Sequence, residues 1–92
     1  MQTITMLNGQ VHEILWCGVS ALSGSLFFDL NDARRPADIL LEFDNPENTD
    51  RIVYDNGLDQ TIYHGYTQVV MYGKRPNGSV RIELARPAKE EA

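Results

Sequence analysis

A chain of 92 residues, 42% hydrophobic and 23% charged, with four prolines and one cysteine, has the make-up of one folded domain and excludes a second domain or global disorder. The formal net charge of −5 excludes a general nucleic-acid binder, which needs a lysine and arginine surplus to displace phosphate counterions, and disfavours an anionic membrane surface. A core this small, with no disulfide available within the chain, makes a homo-oligomer the expected state.

The opening Met1-Gln2-Thr3-Ile4-Thr5 lacks the basic start and apolar run of a signal peptide, and no stretch approaches the roughly eighteen apolar residues of a membrane span. The cytoplasm is the expected compartment. Asn77-Gly78-Ser79 fits a glycosylation acceptor but reads better as turn chemistry.

Residues 3–7 alternate polar and apolar and end at Asn8-Gly9, a hairpin signal. The second strand, residues 10–16, then places Val11, Glu13 and Leu15 on one face and His12, Ile14 and Trp16 on the other. Gly18, Ser20, Ser23 and Gly24 make a loose connection to a buried strand, Leu26-Phe27-Phe28-Asp29-Leu30. Trp16 and Phe28 are both expected in the core.

Arg35 is pushed out of the helical region by Pro36, which itself suits a first helical turn, so a short helix starts near Pro36. Ala37, Ile39, Leu40 and Phe43 give its apolar stripe. Asn45-Pro46 stops it and can cap one further turn. Arg51 to Tyr54 reads as a brief strand closed by Asp55-Asn56-Gly57, and Thr61 to Tyr72 as β-prone with a bulge or bend at Gly65. Arg75-Pro76-Asn77-Gly78 turns the chain into a last strand, residues 79–85. The expected fold is α+β: a mostly antiparallel sheet of five or six strands with one short helix packed on it, or alternatively a small β-barrel. Residues 1–86 form the domain and 87–92 a loose polar tail.

Catalytic chemistry finds little footing. Cys17 follows His12 by five residues, but its apolar neighbours suit a small buried hydrophobe better than a nucleophile, which wants a helix N-terminus or a nearby cation. His12 and His64 are the only histidines; no zinc, calcium or phosphate-loop spacing accompanies them, so no metal or cofactor is expected.

Charge is uneven. Residues 29–59 hold nine acids against three bases, Arg34, Arg35 and Arg51, a net of −6, and the remainder of the chain is net +1. An acidic helix-loop segment suits a basic groove on another protein, and Asp38, Glu42, Asp44, Glu47 and Asp50 are the candidate partner-binding residues. Helical spacing puts Asp38 and Glu42 on one edge. The plainer alternative is ordinary solvation of loops. A second candidate set, Tyr66, Tyr72, Lys74, Arg75 and Arg81, combines tyrosine faces with cations, as a nucleotide ligand would require.

Three strings, Leu15-Trp16-Cys17-Gly18-Val19, Phe43-Asp44-Asn45-Pro46-Glu47-Asn48-Thr49 and Tyr63-His64-Gly65-Tyr66-Thr67, resemble those of small proteins encoded in bacteriophages and prophages. The resemblance implies no catalytic residues. It implies a phage structural or accessory context and binding rather than turnover, which suits an inhibitor of a host antiviral defence factor acting through the acidic surface, or a tail or virion assembly component located in the virion. The tyrosine and basic set offers the alternative of an oligomeric sponge for a nucleotide immune signal.

Overall fold

The computed structural model describes residues 2–31 and 36–87. Seven strands form one antiparallel sheet: β1 Gln2–Thr5, β2 Val11–Val19, β3 Leu26–Leu30, β4 Arg51–Asp55, β5 Gln60–His64, β6 Gln68–Lys74 and β7 Val80–Ala85. Their order is β5-β4-β1-β2-β3-β7-β6. Two short helices, α1 Pro36–Phe43 and α2 Pro46–Thr49, lie between β3 and β4. The fold is thus α+β with a mostly antiparallel sheet, as expected, but with seven strands rather than five or six. The extra strand arises at Gly65, whose φ of 81° makes the expected break a bend rather than a bulge, sharp enough to divide the β-prone run into β5 and β6. Asp32, Arg34, Arg35 and residues 88–92 of the expected tail lie outside the described residues.

The sheet is open, with no β5–β6 ladder among its pairings. Yet its two edges are consecutive in the chain. A flat sheet of seven strands would hold them roughly 29 Å apart, whereas Gly65-Tyr66-Thr67 reaches at most about 14 Å between His64 and Gln68. The sheet is therefore strongly curled.

Alternation decides the buried face. Ile4, Ile14, Leu26, Phe28, Leu30, Ile52, Val80, Ile82 and Leu84 are buried from the strands, and Ile39 and Phe43 of α1 join the same core. The Phe43 ring packs on Phe28 at 5.4 Å between centroids. Removing each such side chain from water stabilises the fold by about 1.5–3 kcal/mol. The hairpins at Asn8-Gly9 and Asn77-Gly78 close alike: Gly9 N–H donates to Met6 O and Gly78 N–H to Arg75 O, each at 2.9 Å. They are three-residue loops rather than two-residue turns.

One expected core residue is displaced. The β2–β3 register shifts between Ile14 and Trp16, so the extra residue turns Trp16 to the outer face, where it is 47% exposed, while Phe28 is fully buried. A bulge reverses the facing of everything after it, which strict alternation cannot foresee. The same shift turns Cys17 inward against the core.

Candidate protein-binding surface

Pro36 opens α1 and Asn45 opens α2, its side-chain oxygen accepting from Glu47 N–H at 3.1 Å with Pro46 next in the first turn. Helix α1 buries Ile39 and Phe43, so Asp38 and Leu41 face outward, Leu41 at 77% exposure. Asp44, Glu47 and Asp50 are exposed as well. Four of the five expected partner-binding acids thus lie at the surface.

Glu42 does not share their setting. Its Oε2 lies 3.1 Å from His12 Nε2, and its Oε1 accepts from Gln10 Nε2 at 3.3 Å. His12 is buried, with its imidazole 5.5 Å from the Phe43 ring. Asn48 Nδ2 donates to Glu42 O at 3.3 Å, and Leu7 N–H donates to Asn48 O at 3.0 Å. Glu42 therefore fastens α1 to the β1–β2 hairpin, a structural position that charge counting along the helix does not reveal.

Beside the acidic helices lies a groove of about 370 Å³ lined by Leu40, Asp44 and residues Val69, Val70, Met71 and Tyr72 of β6. Strand β6 is an edge of the sheet. Val70, Met71 and Tyr72 are all exposed there, and the β6–β7 register shifts between Val69 and Met71. β6 carries no proline and no charge before its last residue, Lys74, so the bulge and that terminal lysine are its guards as an open edge.

The second candidate set is dispersed. Tyr66 is buried, edge-on to Tyr63 at 5.9 Å, and covered by the Arg86 guanidinium 4.7 Å from its ring centre. Tyr72 belongs to the β6 groove. Lys74 ends β6, and Arg75 N–H closes the following turn on Ser79 O at 2.7 Å. Arg81 sits on the outer face, donating to Asp29 through Nε at 2.7 Å and Nη2 at 3.2 Å. Those hydrogen bonds push the guanidinium pKa further up. Within one copy the five residues make no common site.

Two arrangements escape a reading of the sequence. Arg86 donates from Nε to His64 O at 3.0 Å and borders a cleft of about 540 Å³ with Asp50, His64, Gly65 and Pro87. On the outer face Trp16 packs on Phe27 at 4.7 Å, with the Arg81 guanidinium 5.8 Å and 5.4 Å from the two ring centres. Gly18 gives the indole room: a Cβ there would lie 3.2 Å from it. The pairing of Asp29 with Arg81 across β3 and β7 joins positions 52 residues apart, which no local pattern announces.

Cys17 sits near Tyr54 and Tyr63 against the core, and burial pushes its thiol up to about 11. Among the described residues no group of three or more His, Cys, Asp or Glu is placed to hold a metal ion, and no helix is long and apolar enough to cross a membrane. No protein-family model, curated protein or solved structure matches the chain.

Proposed function

We propose that this chain is a non-enzymatic binding protein of the phage accessory type, which presents its α1–α2 face to a basic surface on a partner protein. The partner class is a host antiviral defence factor whose nucleic-acid-binding surface the acidic face would occlude. One observation carries the reading. Residues 36–50 contain five acids and no base, and four of those acids are exposed, Asp38 on α1 with the protruding Leu41, Glu47 on α2, and Asp44 and Asp50 just after the two helices.

An exposed leucine within an acidic field suits an interface in which charge sets approach and orientation while an apolar anchor slows dissociation. The sponge alternative draws less support, because its five residues are spread over a buried ring, an edge groove, a turn and the outer face. The assembly alternative draws on the open edges β5 and β6.

The test is capture of basic proteins from bacterial lysate by the wild-type chain and by a Glu47→Lys, Asp50→Lys variant, followed by association rates against salt. Slower association of the variant at low salt, converging with wild type as salt rises, supports the acidic face. Equal rates at low salt overturn it.

A further inference from the structure

We propose that the edge of β6 and its groove form a strand-addition site for an extended peptide segment that alternates apolar and basic residues. The idea rests on the acidic-partner reading and specifies how that partner is held. An edge strand offers every second N–H and C=O outward, and a peptide laid along it gains main-chain hydrogen bonds, with alternate side chains dropping into flanking pockets. On β6 those groups are open because only β7 pairs with the strand. The pocket is present too: Leu40 of α1 faces Val69, Val70, Met71 and Tyr72 across about 370 Å³.

Charge selects the occupant. Asp44 lines the groove itself, and exposed Glu47 and Asp50 follow it in the chain. An apolar segment bearing lysine or arginine complements Asp44 in the groove, whereas a second copy of the chain would bring its own net charge of −5 toward that acid. The other edge, β5, exposes Ile62 but contributes to its neighbouring cleft only through His64, beside Arg86, so it lacks this combination.

The probe is a fluorescein-labelled peptide of about eight residues alternating lysine and valine, titrated by anisotropy. Two controls carry glutamate in place of lysine or N-methyl groups on every backbone amide. Amide hydrogen exchange of the wild-type chain locates the bound peptide. Binding of the lysine peptide, slowed exchange in β6, at least about tenfold weaker binding of both controls, and a comparable loss in Asp44→Lys are expected.

Equal binding of the N-methylated peptide, or protection confined to residues 46–50, overturns strand addition while leaving the acidic face standing. No binding of the lysine peptide overturns it as well, independently of the lysate experiment, whose variants lie outside the groove. Protection of β6 that appears with rising protein concentration and no peptide assigns the edge to a second copy, and overturns the proposal.

Discussion

Glu42 and His12 meet at 3.1 Å between Oε2 and Nε2, one on α1 and the other on β2, and this contact ties the acidic helix to the sheet. Substituting Glu42→Lys sets an ammonium against a buried imidazole and removes the acceptor for Gln10. Destabilisation by about 2–4 kcal/mol is expected, with Glu42→Gln milder because an amide oxygen still accepts. Urea midpoints of the two variants provide the check. A Glu42→Lys midpoint equal to wild type would mean that the contact contributes nothing.

Trp16 and Phe28 part company in the same experiment. Phe28→Ala leaves a void in the core, at a cost of about 3–5 kcal/mol. Trp16→Ala loses packing on Phe27, the Arg81 guanidinium over its ring and half-exposed surface, at about 1 kcal/mol. Because Trp16 is the only tryptophan, its fluorescence reports directly: iodide quenches it in the native protein. Full protection from iodide would place the indole inside.

Arg81 and Asp29 form a two-pronged pair at 2.7 and 3.2 Å, with Asp29 buried. Arg81→Ala leaves that carboxylate without its partner and is expected to destabilise by about 2–4 kcal/mol, whereas the double variant with Asp29→Ala recovers part of the loss. A double-mutant cycle in denaturant measures the recovery. Strict additivity of the two single losses would show the pair to be uncoupled.

Cys17 titrates late, because burial disfavours its thiolate. Its folded pKa of about 11 lies above the unfolded value near 9.0, so below pH 9 both states hold the proton and stability is unaffected. Between about pH 9 and 11 the unfolded chain loses the proton first, and this group's contribution to stability falls as pH rises. Cys17→Ala is expected to flatten that alkaline decline. Thiol reagents at pH 8 are expected to modify the native protein far more slowly than the urea-unfolded chain; equal rates would contradict the burial.

Much of the fold is legible wherever a local signal coincides with a local cause. Pro36 starts α1 and Asn45 caps α2, because proline geometry and a side-chain acceptor act within one turn. Strand β7 follows its alternation of Val80, Ile82 and Leu84 faithfully. What fails depends on partners far along the chain. The bulge after Ile14 is set by the register with β3, so strict alternation puts Trp16 on the wrong face.

The candidate site follows the same division. Acidity of residues 36–50 is plain in the sequence, but Glu42's inward turn depends on His12, thirty residues earlier. The groove needs α1 beside β6, and nothing within either segment announces that neighbour.

The sheet order divides the protein into three locally connected pieces: the β1–β2–β3 meander, the β4–β5 hairpin and the β6–β7 hairpin. They join only through remote ladders, with Ile4 opposite Tyr54 and Leu26 opposite Leu84. Loop closure over about fifty residues must precede either join, a high contact order that places folding in the millisecond-to-second range. Until the second hairpin docks, Leu26, Phe28 and Leu30 have a bare flank, so a nascent chain halted before β7 would show an unguarded hydrophobic strand to whatever chaperone or partner reaches it first.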